Sequence, residues 1–207
     1  MQIKILDYGM GNLSSIQNML KRIGTDSKII AYNGLEAKQV DALIIPGVGA
    51  FDNAMQKLKA GPFENLVQLK DNGIPILGIC LGMQLLFEKS EEGSSQGLSW
   101  IPGKVKKFNH SDIDNRSLKI PHMGWNYIKK PQGRLFTELE QAKFYFVHSF
   151  HVVCDEEYSI ASADYGYEFT CAVNRDNLWG VQFHPEKSHK FGMQLLKNFI
   201  EICKYGS

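Results

Sequence analysis

Apolar residues follow two rhythms along this chain. In the first half, short and mostly apolar runs, two of them holding a single lysine, alternate with stretches whose apolar residues recur every three or four positions. Residues 3–6, 28–30, 42–45 and 74–79 are runs of the first kind, the form taken by strands buried on both faces. Residues 13–23 place Leu13, Ile16, Leu20 and Ile23 on one helical stripe, with Gly24 as a left-handed stop. Residues 63–72 read as a helix that follows Pro62 and closes at Gly73. The alternation predicts an α/β fold with a doubly wound, mostly parallel central sheet and flanking helices. Ligands of such sheets bind beyond the carboxyl ends of the strands. The loops leaving those ends are 8–12, 46–51 and the turn at residue 80.

The second half changes rhythm. Residues 104–108, 126–128, 144–147, 159–163, 170–174 and 178–183 read as short strands separated by turn residues, which predicts an antiparallel or mixed extension of the sheet. A last helix spans 188–204. Phe191, Leu195, Phe199 and Ile202 form its stripe, with Leu196, Ile200 and Cys203 beside it. Nothing resembles a linker or a repeat, so residues 1–207 read as one domain. Residues 91–96 and 110–117 are the expected flexible loops.

Composition narrows the classes. The chain has 207 residues, 43% of them hydrophobic and 22% charged, enough for a full core. Its net charge of +1 leaves no basic stripe, which argues against a nucleic-acid partner. The start, Met1-Gln2-Ile3-Lys4, runs directly into a strand. No apolar run approaches the ~18 residues of a membrane span, so a cytoplasmic protein is expected. Cys80, Cys154, Cys171 and Cys203 are widely spaced, which suits reduced thiols better than a disulfide framework.

One of these cysteines stands in a chemical context. Gly78-Ile79-Cys80-Leu81-Gly82 follows an apolar strand and precedes a helical start, the form of a nucleophile elbow. The turn lifts the side chain above the sheet edge, and the following helix aims its first amides at the sulfur, favouring thiolate. A nucleophilic cysteine needs a base and a group to orient that base. Gln182-Phe183-His184-Pro185-Glu186 supplies both, because residues i and i+2 of an extended segment face the same way. By itself a His-x-Glu pair also suits a strand-end histidine beside a surface glutamate. Oxyanion stabilisation calls for backbone N–H donors. Leu81 is one candidate, and Val48 and Gly49 of Pro46-Gly47-Val48-Gly49 are the others, though that segment alone reads equally well as an ordinary turn. His148, His151 and Cys154 invite a metal reading, but a spacing of three on a strand sends neighbours to opposite faces. No metal site is expected. Glu88, Glu91 and Glu92 read as a solvated helix end. His110, His122 and His189 read as surface or hydrogen-bonded residues.

In chain order, Pro46-Gly47-Val48-Gly49, the Cys80 elbow and Gln182-Phe183-His184-Pro185-Glu186 resemble the three signatures of the class I (triad-type) glutamine amidotransferases. The resemblance spans essentially the whole chain. Four further segments narrow it to the glutaminase subunits of imidazole glycerol phosphate synthase: Asp7-Tyr8-Gly9-Met10-Gly11-Asn12, Gly82-Met83-Gln84-Leu85-Leu86-Phe87, Pro121-His122-Met123-Gly124-Trp125-Asn126 and Tyr145-Phe146-Val147-His148-Ser149. The resemblance implies that Cys80 attacks the side-chain amide of L-glutamine, that His184 protonates the leaving ammonia, and that Glu186 holds His184. It implies substrate contacts at Gln84, His148, Ser149 and Phe150. The family often has Tyr in place of Phe150, so no hydroxyl is implied there. It also implies a heterodimer with a (β/α)8-barrel cyclase subunit, met at Tyr8, Asn12, Met123 and Trp125, and no cofactor. Two alternatives stay open. One is a paralogous glutaminase feeding another synthase, such as one amidating a surface sugar. The other is an elbow-cysteine hydrolase or stress protein.

Overall fold

In a computed structural model of the chain, residues 1–36, 40–61, 63–109 and 118–206 are described. Pro62 and the expected 110–117 loop therefore lie outside the described residues.

Strands β1 (Ile3–Asp7), β2 (Ser27–Ala31), β3 (Ala42–Gly47), β4 (Ile76–Cys80) and β12 (Leu178–Val181) form the parallel part of the sheet, in the order β2-β1-β3-β4-β12. Every residue of β3, β4 and β12 is buried, as their unbroken apolar runs require. Beyond β12 the sheet turns antiparallel through β11 (Glu168–Arg175), β10 (Ser159–Asp164), β7 (His122–Lys129) and β8 (Lys143–His148). The short strands β5 (Lys89–Ser90), β6 (Lys104–Lys107) and β9 (Phe150–Val153) branch off β11.

Side chains alternate between two cores. Ile3, Ile5, Leu77, Ile79, Trp179 and Val181 point to one face. That face is covered by α1 (Leu13–Arg22), through Ile16, Met19 and Leu20, and by α5 (His189–Tyr205), through Leu195, Leu196, Phe199, Ile200 and Ile202. Leu6, Leu43, Ile45, Ile76 and Leu178 point to the other face. There they meet α2 (Phe51–Ala60), α3 (Phe63–Asp71) and the one-turn α4 (Leu81–Gln84).

Four segments differ from the pattern expected of the sequence. Helix α2 has no counterpart among the predicted elements, although Phe51, Ala54, Met55 and Leu58 carry its helical spacing and are fully buried. Burying four such side chains contributes several kcal/mol, at roughly 1.5–3 kcal/mol for each large one. Strand β7 starts four residues earlier than expected because its exposed Met123 and Trp125 hide the alternation. Strand β9 runs directly on from β8. The 91–96 segment is tied down rather than loose. The Asp52 carboxylate accepts the Ser94 and Ser95 N–H groups at 3.0 and 2.8 Å, and Glu92 accepts that of Phe51 at 2.9 Å, capping α2.

Candidate active site

The elbow is a backbone conformation imposed by close packing. Cys80 has φ 56° and ψ −111°, outside the relaxed regions for a residue with a side chain and costing on the order of 1–3 kcal/mol. Strand β3 holds Gly47 directly beside it. The elbow glycines are dictated by space. A Cβ at Gly82 would stand 1.8 Å from the Ile45 carbonyl oxygen, and one at Gly78 would stand 2.6 Å from that of Gly82. Helix α4 is only one turn long. Its dipole is correspondingly small, so the polar surroundings of the sulfur must come largely from side chains.

Those side chains arrive from β12 and the residues just after it. Gln182, fully buried, directs Nε2 at Cys80 Sγ (3.6 Å), while its Oε1 accepts the Gln84 amide at 3.0 Å. His184 is held by its backbone N–H on the Tyr145 carbonyl (2.9 Å), and Ser188 Oγ donates to the His184 carbonyl at 2.6 Å. The His184 Nδ1–H donates to Glu186 Oε1 at 2.8 Å, and both side chains are buried. That bond leaves Nε2 as the nitrogen facing Cys80. Nε2 makes no other hydrogen bond among the described residues, which leaves it free to exchange a proton with the sulfur. Burial pulls the His184 pKa down, but Cys80 and the Glu186 carboxylate outweigh it and leave it well above the ordinary histidine range.

A cavity of about 370 Å³ opens over Cys80. Val48, Gly49, Leu81, Gln84, His148, Ser149 and Phe150 line it, together with Glu92, Pro121 and Val147. Seven residues singled out by the sequence motifs thus share one wall with the cysteine. Gly49 adopts φ +106°, and a Cβ there would press on Met10 of the loop after β1. The three loops leaving β1, β3 and β4 therefore meet at this site. Gln84 is more committed than expected. Its Nε2 donates to the Phe150 carbonyl (3.2 Å) and to Gln182 Oε1 (3.0 Å).

Several expectations need correction. Tyr8 is 1% exposed, and its hydroxyl donates to the Pro46 carbonyl at 2.5 Å, so it supports the 46–49 loop from below and offers no surface to a partner. Asn12, Met123 and Trp125 are exposed. Glu91 and Glu92 are not a solvated helix end, since Glu91 accepts the Lys107 N–H at 2.9 Å and Glu92 lines the cavity. His122 and His189 agree with the expectation of surface or hydrogen-bonded residues: His122 is buried and hydrogen-bonded to His148, and the exposed His189 stacks on Trp125 with centroids 5.5 Å apart. His148, His151 and Cys154 do not converge, and among the described residues no group of three His, Cys, Asp or Glu is placed to hold a metal. Cys154, Cys171 and Cys203 are free, with thiol pKa values raised by burial, as suits packing residues. Sequence reasoning missed Gln182, whose signal was its i, i+2 relation to His184. It also missed Glu92, Pro121 and Val147, whose proximity to the cysteine depends on the tertiary fold.

A parallel sheet with an elbow cysteine, a buried His–Glu pair and a pocket over the sulfur defines a class of acyl-transferring cysteine enzymes. Residues 4–203 match the glutamine amidotransferase class-I family, and the chain belongs to that family. Among its relatives, the imidazole glycerol phosphate synthase subunit HisH of Sulfurimonas denitrificans is 50% identical, covering 96% of this chain and 97% of that one. The HisH subunit of Leptospira interrogans is 46% identical over 97% of this chain and its own full length. The fold is shared with solved structures of low identity. A putative GMP synthase subunit from Thermoplasma acidophilum has a TM-score of 0.73 at 21% identity, covering 99% of this chain and 94% of that one. PurLQS from Thermotoga maritima has 0.73 at 16%, covering 97% of each. Among the described residues no helix is long and apolar enough to cross a membrane.

Proposed function

We propose that this chain is the glutaminase subunit of an imidazole glycerol phosphate synthase, and that residues 1–207 form one amidotransferase domain. The observation that carries the reading is the Cys80–His184–Glu186 arrangement under a cavity lined by Gln84, His148, Ser149 and Phe150, in a chain 50% identical to the HisH subunit of Sulfurimonas denitrificans. Cys80 Sγ attacks the carboxamide carbon of L-glutamine. The backbone N–H groups of Leu81 and of Val48 or Gly49 stabilise the oxyanion. The C–N bond breaks as the His184 imidazolium gives its proton to the departing nitrogen, and ammonia leaves. Water, deprotonated by His184, then cleaves the glutamyl thioester to glutamate and restores the thiol.

Ammonia serves an acceptor only as neutral NH3, so its route to the synthase must avoid bulk water. The acceptor site belongs to a second chain, a (β/α)8-barrel cyclase subunit that forms imidazole glycerol phosphate and an aminoimidazole carboxamide ribonucleotide. Strand β7 supports this pairing. Met123, Trp125 and Tyr127 alternate onto one face at 60, 43 and 61% exposure, a contiguous apolar strip of the kind that marks an interface. Asn12 joins Met123 and Trp125 as a contact. A cytoplasmic biosynthetic role agrees with four unpaired cysteines. The test is glutamate release with and without the cyclase partner and its nucleotide ligand. Strong stimulation is expected, and no response to that pair would overturn the assignment to this synthase.

A further inference from the structure

A chain of hydrogen bonds runs from the exposed strand β7 to the cysteine, and the triad does not require it. Asn126 Nδ2 donates to the Asp164 carbonyl (2.7 Å) and lies 3.3 Å from His122 Nε2. His122 Nδ1 lies 3.0 Å from His148 Nε2, and His148 Nδ1 lies 2.7 Å from the Phe150 carbonyl. The directions follow from one end. A carbonyl only accepts, so His148 carries its proton on Nδ1. In a neutral ring its Nε2 must then accept, which makes His122 Nδ1 the donor and His122 Nε2 an acceptor for Asn126. Every polar atom in the row has one consistent role. The Phe150 carbonyl also takes Gln84 Nε2, which bonds Gln182, which reaches Cys80 Sγ.

We infer that His122 is a positioning residue for glutamine binding: its Nδ1–H fixes the ring of His148 and thereby the Phe150 carbonyl and Gln84 amide in the cavity wall. This rests on the reading of the cavity as a glutamine site. His122 itself does not line the cavity, whereas His148, Phe150 and Gln84 do. The pairing is built into the sheet, since His122 and His148 are register partners across β7 and β8. Both rings stay neutral because burial lowers their pKa values, that of His122 to about 4. His122 lies between Phe146 and Tyr165, with centroids 4.8 and 4.1 Å away and near-parallel planes. Its ring therefore has a packing role that can be separated from its proton. Because His122 is one residue from Met123 and one strand from the cavity, a shift of β7 on partner contact reaches the glutamine wall by this route.

Two substitutions separate proton from packing. His122→Phe keeps the aromatic sandwich and leaves His148 Nε2 without its donor. His122→Asn places an amide N–H near the position of Nδ1 and gives up the stacking. In the complex with the cyclase partner, His122→Phe should raise the KM for glutamine about tenfold with kcat within about threefold of wild type, and His122→Asn should restore KM to within about threefold. Thermal stability should rank the two variants in the opposite order. If KM follows the stability order, or if His122→Phe leaves KM unchanged, the positioning role is wrong. Long-range proton–nitrogen spectra of the imidazoles give a readout that does not need turnover. Both rings should show the Nδ1–H tautomer in wild type, and an Nε2–H tautomer at either would overturn the inference. Absence of glutamine hydrolysis by wild-type complex would instead remove the functional reading, while these spectra would still decide the direction of the hydrogen bonds.

Discussion

Two sets of buried histidines stand around Cys80 and are shifted in opposite directions. His184 has a carboxylate at 2.8 Å on one nitrogen and the cysteine facing the other, and its pKa rises despite burial. His122 and His148 are buried with only neutral partners, and their pKa values fall. The same side chain at similar depth thus becomes a proton carrier in one wall and a fixed neutral strut in the other. Depth alone does not set the outcome; the charge of the nearest partner does.

The sharpest way to test this contrast is to delete the sulfur. Cys80→Ala should lower glutamine hydrolysis by about 10⁴-fold or more, the scale for loss of a covalent nucleophile. The cyclase partner should still bind and still use free ammonia. Glutamate release and partner binding measured on one preparation check both. Residual hydrolysis near the wild-type level would remove Cys80 from the chemistry.

The next effect is smaller and concerns the carboxylate. With Cys80, the Glu186 carboxylate raises the His184 pKa, so Glu186→Gln should move the alkaline limb of the kcat/KM profile to lower pH. The rate should fall by about 10²–10⁴-fold, as when the orienting acid of a triad loses its charge. An unmoved alkaline limb would mean that Glu186 does not govern this titration.

The smallest effect is on stability, and its sign differs between the two walls. Raised pKa values stabilise the fold at low pH. The His184 contribution is fully present below about pH 6.5 and is lost only as pH climbs through its raised folded pKa. Lowered pKa values work the other way. The unfolded chain binds more protons than the folded one between about pH 6.5 and the folded value of about 4, so stability drops as pH falls through that window. For His122 the full loss is on the order of 3 kcal/mol. Denaturation midpoints from pH 7.5 to 4.5 should decline for wild type and decline less for His122→Phe. Equal slopes would show that His122 is not kept neutral by the fold.

The two walls also differ in how visible they were in the sequence. The elbow wall is local. Strand, Gly-x-Cys-x-Gly turn and helical start lie in one stretch, and His184 with Glu186 shows an i, i+2 relation that needs no tertiary knowledge. Most parallel strands were legible for the same reason, because burial on both faces leaves an unbroken apolar run. Helix α2 was legible in principle through Phe51, Ala54, Met55 and Leu58, but the glycine-rich loop before it masked its start. The imidazole wall is not local. Its pairing joins residues 26 apart through a register that only the assembled β7–β8 pair sets, and both histidines looked ordinary alone. Tyr8 shows the same limit: its motif suggested a surface role, and its hydroxyl lies beneath Pro46.

By itself, the amino-acid sequence determined the elbow and the His–Glu pair, each written within two to five residues, and the sheet class, written in the alternation of apolar runs; the family came from the resemblance of motifs along the whole chain. Tertiary structure alone decided which further groups meet near the sulfur: Glu92 and Pro121 in the cavity, and the neutral imidazole row behind Phe150. The physical reason is reach. Periodicity and turn chemistry act along a few residues of backbone, whereas the polarity around Cys80 is assembled from strands more than 60 residues apart, and only packing brings them within hydrogen-bond distance.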